Sequence, residues 1–506
     1  MSQSFYITTA ISYVNAKPHI GHAYEFIASD VIARFRRMQG RDVFFLSGVD
    51  EHSAKVEKSA QNEGLTPRDF CDKMSDVFRG IHERLGTQLD GFIRTSEPRH
   101  HATTKEMLQR AYDKGDIYKS HYSGYYSFRD EAYVPENEIE RNEDGSYQDP
   151  SLEWIEEENY FFRLTNYTDA LKQHYAEHPE FVQPDWFRNE MTALLDRGLQ
   201  DISISRTTTT WGIPLPWDEK HVSYVWFDAL SNYLTGVGFL QDDEMFQRYW
   251  PCDVHVIGKD INRFHSILWP AMLMSADIPV PKQVYVHGFI YHKGEKMSKS
   301  IGNVVDPISL IENYGRDPLR YFLIREIAWG QDGNYSEESL INRYNSDLAN
   351  DLGNLFSRVL SMMKKYRQSV TPNVALEDDA MRQKCSEAVA RYEELMDQYA
   401  LHQAAQAAWE IVTLANRYVD EKAPWVLAKD ETKQDELDRV MLNLAEALRT
   451  VAVLIFPIMP DTSRTMLERL DCAVEGTPLL SSLQTDQCAG KTVTPGKALF
   501  PRLQAE

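Results

Sequence analysis

Cysteine is scarce in this 506-residue sequence: five occur, at positions 71, 252, 385, 472 and 488, with no C-x-x-C pair among them. That spacing offers neither a disulfide framework nor a zinc knuckle, and it reads as reduced thiols in a cytosolic protein. Long apolar runs are missing too. The most apolar stretch, 451–459, is interrupted by Pro457 and is about half of the ~20 residues a membrane span needs. The first basic residue is Lys17, so no secretory signal is expected at the N-terminus. Positive charge is in deficit, with 54 basic against 76 acidic side chains, which excludes a histone-like or polybasic membrane protein. Internal repeats and low-complexity tracts are absent.

What is present suits about three domains with a core that needs no covalent staples. Much of the net charge of −22 is local: twelve acidic residues and one basic lie between Asp130 and Glu158. The rest of the chain is only mildly acidic, which leaves room for a nucleic-acid face. Residues 5–11 and 43–47 read as buried strands around a helix at 20–38 closed by Gly40, so a βαβ unit opens the chain. The same pattern returns at 254–257 and 284–286, with a helix near 262–274 between them. The hundred or so residues separating these halves are aromatic and acidic and read as an insertion. Beyond about 345 the periodicity becomes helical, over 343–366, 388–423 and 437–456.

Two segments carry chemistry. His19-Ile20-Gly21-His22 follows the first strand at a helix start, where unpaired N–H groups and the helix dipole favour a phosphate. Two histidines three apart share one helix face and can both hydrogen-bond a developing oxyanion. Lys293-Gly294-Glu295-Lys296-Met297-Ser298-Lys299-Ser300 follows a late strand and makes a cationic loop suited to a triphosphate. Taken separately, each is better read as an ordinary turn or a solvated basic loop.

Together, H-I-G-H on the first βα turn and K-M-S-K-S after a late strand of the same sheet resemble the class I aminoacyl-tRNA synthetases. The 274-position spacing from His22 to Lys296 is too short for the editing insertion of the isoleucine, valine and leucine enzymes. The cysteine enzymes' zinc-binding thiol near the first motif is absent. Ala10-Ile11-Ser12-Tyr13, Gly48-Val49-Asp50-Glu51-His52, Tyr224-Val225-Trp226-Phe227-Asp228-Ala229-Leu230 and Gly258-Lys259-Asp260-Ile261-Asn262-Arg263-Phe264-His265 resemble the methionyl-tRNA synthetases, and the similarity runs through 154–162 to the final LFPR.

The resemblance implies an α/β fold: a Rossmann-like nucleotide-binding domain split by an insertion, followed by an α-helical anticodon-binding bundle. The expected boundaries are 1–113 and 219–288 for the halves of the catalytic domain, 114–218 for the insertion, 289–345 for the KMSKS and stem-contact region, and 346–506 for the bundle. It implies catalytic roles for His19, His22, Lys296 and Lys299. Gly21, Gly258, Asp260 and Ser298 join them around ATP, with Mg2+ accompanying the nucleotide. Methionine is expected against Ile11, Tyr13, Trp226, Ala229, Leu230, Tyr233 and His265, with Asp50 pairing its ammonium. A polarizable, unbranched thioether suits such walls. Asn350, Asn354 and Arg358, at i, i+4 and i+8, and Trp425 are expected to read the anticodon. Without the resemblance, Trp226, Tyr233 and Trp425 read as core residues, and the asparagines as ordinary surface.

Two departures from the family's pattern stand out. Tyr125-Tyr126-Ser127-Phe128-Arg129-Asp130 replaces zinc-knuckle thiols, so no metal is expected and packing around Trp154, Tyr160 and Phe161 should hold the insertion. Ser53 stands where a glycine usually follows D-E-H. The expected partners are tRNA(Met) and L-methionine, with no membrane; the chain ends after the helices, which favours a cytoplasmic monomer. Two other classes compete: a small-molecule nucleotidyltransferase, which would lack the helical domain, and a catalytically silent RNA-binding relative, which would not keep both motifs.

Overall fold

The computed structural model describes residues 3–127, 132–134, 136, 139, 141–142, 144–149, 151–207, 209–297, 302–376 and 380–504. Its centre is a parallel sheet of β1 (Ser4–Thr9), β2 (Ser12–Tyr13), β3 (Asp42–Asp50), β4 (Gly91–Arg94), β5 (Val182–Gln183), β6 (Val254–Gly258) and β7 (Val284–His287), in the order β2-β3-β1-β6-β7-β5 with β4 also paired to β3. Every pairing is parallel, as crossover connections require. β1 and β6 are neighbours, with Ile7 opposite Val254, so the two halves separated in sequence form one sheet. The central strands β1, β6 and β7 are buried on both faces, which is why they read as apolar runs rather than alternating ones.

Helix α1 (Ile20–Met38) crosses from β2 to β3 with an almost wholly buried surface. The other expected strands are found with shifted ends: the first stops at Thr9, the second extends to Asp50. The expected single helix near 262–274 is instead a 3-10 turn at Lys259–Ile261, a π-helical turn at Phe264–Leu268 and a short α-helix at Trp269–Ser275.

The insertion builds its own antiparallel sheet, dominated by Ile117–Ser127 against Leu152–Phe162. Tyr160 and Phe161 are buried there, whereas Trp154 is 54% exposed and packs edge-on against Tyr125; it is not a core residue as expected. Part of the region returns to the main sheet as β5, which two residues are too few to announce in sequence. Of the stretch 125–130 in place of zinc thiols, residues 128–130 lie outside the described residues.

A small sheet of β8 (Ile290–His292), β9 (Glu295–Lys296) and β10 (Gly333–Tyr335) follows β7. The remainder is helical: α2 (Arg316–Glu326), α3 (Glu337–Arg343), α4 (Asn354–Arg367), α5 (Ala380–Asp397), α6 (Leu401–Lys422), α7 (Gln434–Leu454) and α8 (Pro460–Arg469). The expected helix over 343–366 is interrupted by a ten-residue π-helical stretch, Tyr344–Gly353. Within it Asn345 is tied to the backbone of Leu503, and Asp347 to the Tyr321 hydroxyl; such local rewinding leaves the apolar spacing nearly unchanged. The expected helix over 388–423 breaks at 398–400. Tyr399 takes φ +58°, and its ring packs on Tyr285 of β7 and beneath Arg36 of α1. No helix among the described residues is long and apolar enough to cross a membrane.

Candidate functional site

α1 starts on an extended residue, His19 (φ −127°, ψ 178°). Its Nδ1 accepts from the Gly21 N–H at 3.0 Å, and its own backbone N–H donates to His22 Nδ1 at 3.1 Å. Since both Nδ1 atoms accept, each neutral ring carries its proton on Nε2. Burial, with the neighbouring His19 and His287, pulls His22 down to about 3, so it is a neutral donor under ordinary conditions. A Cβ on Gly21 would sit 2.8 Å from His19 Cε1; glycine is what lets the imidazole cap its own helix. Two N–H donors at the positive end of a helix dipole suit an anionic oxygen.

The segment that follows the late loop meets this helix start. The Ile20 N–H donates to the Val305 carbonyl at 3.1 Å, and Asn303 Nδ2 donates to the Lys296 carbonyl at 3.2 Å. Lys296, exposed on the β8–β9 hairpin, holds its ammonium 4.8 Å from the centre of the Phe289 ring; Lys259 approaches the same ring at 4.6 Å and pairs with Asp332 at 2.8 Å. Lys296 is thereby gathered beside the turn after β6, where Gly258 is buried and Asp260 is exposed. A Cβ on Gly258 would press on Asp260 Oδ1 at 2.8 Å. Ser298 and Lys299 lie outside the described residues.

Beyond the helix start, the ends of β2 and β3 set Tyr13 beside Asp50 in register. Asp50 is buried, and its Oδ1 accepts from the His52 N–H at 3.3 Å and from the Thr95 hydroxyl at 3.5 Å. The short helix Val225–Leu230 contributes Trp226, Ala229 and Leu230. Trp226 stacks on Phe264 (centroids 3.9 Å, planes 6° apart), and its edge faces His265. His265 donates from Nδ1 to the Ile261 carbonyl at 3.0 Å, so its Nε2 accepts from the buried Tyr233 hydroxyl at 2.7 Å. Burial pulls His265 down to about 4, which keeps this pair uncharged. Ile11, Trp226 and Phe264 are half-buried against the cluster that includes Leu230 and Tyr233. The result is an aromatic and aliphatic wall with one carboxylate near its rim.

Sequence reasoning missed the polar scaffold behind that wall. Asp228, wholly buried, accepts from His52 Nδ1 and His100 Nε2, both at 2.7 Å. Burial raises its pKa, but the two histidines outweigh that and hold the carboxyl well below the usual range. Glu25 on α1 accepts from the Ala10 N–H and from His287 Nε2, each at 2.9 Å. His52, Asp228 and Phe264 stood inside quoted motifs; nothing in the sequence marked His100 as a partner of Asp228, or Glu25 as a partner of His287.

A second group lies on the helical part. Asn354 and Arg358 are one turn apart on α4, but Asn350 belongs to the π-helical stretch, so the 3.6-residue spacing holds only for the first two. Both asparagines are exposed. Arg358 pairs with Asp420 at 2.8 Å, and its guanidinium lies 5.1 Å from the ring centre of Trp425, which is 38% exposed. An exposed indole beside a guanidinium suits an unstacked base.

Comparison with known proteins agrees along the whole chain. The family described as tRNA synthetases class I (M) matches residues 5–143 and 141–360, and the anticodon binding domain of methionyl tRNA ligase matches 371–506. The methionine–tRNA ligase of Brucella suis is 46% identical over 99% of this chain and 98% of its own length. That of Bacillus subtilis is 44% identical, covering all of this chain and 78% of the relative. A Mycobacterium tuberculosis methionyl-tRNA synthetase solved in complex with methionyl-adenylate superposes with a TM-score of 0.96 at 44% identity, over 99% of this chain and all of the other.

Proposed function

The chain belongs to the methionyl-tRNA synthetases of class I, and from that premise we propose how its residues divide the reaction. The reaction is methionine–tRNA ligation: ATP activates L-methionine to methionyl-adenylate with release of pyrophosphate, and the methionyl group then passes to the 3′-terminal adenosine of tRNA(Met). In the first step a methionine carboxylate oxygen bonds to the α-phosphorus while the bond to pyrophosphate breaks and its electron pair leaves with pyrophosphate. The Nε2 protons of His19 and His22 meet the charge that builds on the α-phosphate oxygens. Lys296 and Lys299 neutralise the departing pyrophosphate, together with Mg2+ that enters bound to ATP. Gly21, Gly258, Asp260 and Ser298 bound the nucleotide. No side chain becomes covalently attached, because positioning and electrostatics supply the acceleration.

Methionine lies along Ile11, Tyr13, Trp226, Ala229, Leu230, Tyr233 and His265, with its ammonium on Asp50. The uncharged Tyr233–His265 pair supports that reading, since it presents a polar but neutral end to a thioether. Asn350, Asn354, Arg358 and Trp425 read the anticodon, within a bundle we bound at 346–506. The catalytic halves at 1–113 and 219–288 flank the insertion at 114–218, and 289–345 supports the lysine loop. We also propose a cytoplasmic monomer; five cysteines without a disulfide fit that compartment.

The observation that best supports this reading is the hydrogen bond from the Ile20 N–H to the carbonyl of Val305, five residues beyond the K-M-S-K-S segment. ATP–pyrophosphate exchange measured with each amino acid in turn tests it. Methionine alone should support exchange; exchange without an amino acid, or with a different one, overturns the reading. Trp425→Ala should leave exchange nearly intact and depress tRNA charging about five- to 150-fold, in line with the ~1–3 kcal/mol of a lost base stack. Equal loss in both assays would remove Trp425 from the anticodon site.

A further inference from the structure

Two of the five thiols are neighbours. Cys472 and Cys488 are 16 residues apart, and their Sγ atoms lie 3.7 Å from each other. Both backbones are held from several sides. Cys472 closes α8: its N–H donates to the Leu467 carbonyl at 2.8 Å, after Asp471 in the left-handed conformation (φ +56°). Cys488 is pinned to α7, where the buried Glu446 accepts from the N–H groups of Gln487 and Cys488, both at 2.6 Å. Arg449, one turn on, pairs with Glu446 at 2.7 Å and donates to the carbonyls of Ser482 and Thr485. The Cys488 carbonyl in turn accepts from the Thr371 hydroxyl. A buried charged pair thus fixes the crossing segment so that the two thiols face each other.

We propose that Cys472 and Cys488 form a reversible disulfide when the protein meets a peroxide. The sulfurs need only close from 3.7 Å to the ~2.05 Å of a disulfide. Cys472 is the attacking thiol. It keeps 8% of its surface exposed, while Cys488 has none. The Cys488 hydrogen bond and Arg449 favour its thiolate against burial, and its pKa is lowered on balance. The Cys472 sulfur attacks one peroxide oxygen; the O–O bond breaks, the distal oxygen leaves as water or an alcohol, and a sulfenic acid remains. The Cys488 sulfur then attacks that sulfur, the S–O bond breaks, water leaves and the S–S bond forms. The two thiols lose two electrons in total, and the peroxide takes them up. A thiol reductant reverses the process. Cys71 and Cys252 differ: their sulfurs face the Glu51 and Tyr6 carbonyls inside the catalytic half, with burial raising both pKa values.

Trypsin provides a specific readout, because no lysine or arginine lies between Arg469 and Lys491. Both thiols therefore stay on one peptide, 470–491. The full-length protein is treated with graded hydrogen peroxide, then denatured, alkylated and digested. The 470–491 peptide should become unalkylated and ~2 Da lighter than the dithiol form, and dithiothreitol should restore double alkylation. Cys488→Ser should instead leave Cys472 as a sulfenic acid that dimedone traps. The proposal is overturned if 470–491 stays doubly alkylated at peroxide levels that consume the half-exposed Cys385. It is equally overturned if the oxidised thiols appear in two-peptide or intermolecular crosslinks.

Discussion

Asp228 braces the aromatic wall proposed to hold methionine without belonging to it. Its two carboxylate oxygens accept one N–H each from His52 and His100, and His52's own backbone N–H donates to Asp50. An asparagine there could accept from one histidine but would turn its NH2 toward the other. One ring must then change tautomer or leave a buried donor unpaired, at about 1–3 kcal/mol. Asp228→Asn should therefore lower the melting temperature and raise KM for methionine several-fold, with KM for ATP nearly unchanged. Parallel rises in both would show that the Asp228–His52 contact does not position Asp50. At this scale the sequence was readable wherever chemistry coincided with a motif: His19 and His22 stood out by type and spacing, and Asp50 through the family resemblance of its segment. The partners His100 and Glu25 did not, because a buried histidine and a helical glutamate carry no signal until the chain brings their acceptors and donors together.

Among elements, α1 and β7 are joined by one ionic hydrogen bond, from His287 Nε2 to Glu25 Oε2. His287 Nδ1 also faces the Gly288 carbonyl at 2.9 Å, so the ring donates from both nitrogens only when protonated. Burial alone would lower its pKa, but Glu25 and the Gly288 carbonyl outweigh it and the pKa is raised above the ordinary 6.5. A raised folded-state pKa stabilises fully below the unfolded value and ceases to do so as pH climbs through the folded one. His287→Gln should thus cost most stability near pH 6, by ~1.4 kcal/mol per unit of upward shift, and progressively less toward pH 9. Thermal melts of both proteins across that range check it; a gap that widens with pH refutes the charged pair. Elements themselves were legible in proportion to length. The nineteen residues of α1 announced a helix and its end, while the two residues of β5 and the π-helical rewinding at Tyr344–Gly353 left no mark in the apolar spacing.

At the scale of the molecule, the catalytic and helical parts are fastened through Arg320, whose side chain is fully buried. Its guanidinium donates to Asp30 of α1 at 2.6 Å, to the Leu85 carbonyl at 3.1 Å, and to the carbonyls of Pro457 and Ile458, just before α8, at 2.8 and 2.7 Å. Asp30 also accepts from Arg34 at 2.7 Å and from the Gln88 N–H at 2.8 Å. Burial raises its pKa, but Arg34 and Arg320 outweigh that and lower it. Arg320→Met fills similar volume and leaves three carbonyls and a half-neutralised carboxylate without their donor, so the loss should be about 3–5 kcal/mol, the range for breaking a buried pair. The sign with pH follows from Asp30. A depressed carboxylate stabilises above its unfolded pKa and loses that contribution as pH falls through the folded one. Without Arg320 the Asp30 pKa rises, so acid loss begins earlier. The variant should melt several degrees below the parent at pH 7.5, and its melting temperature should start to fall at a higher pH on acidification. If the two acid profiles run parallel, Arg320 acts by packing alone and its charge does not hold the two parts together.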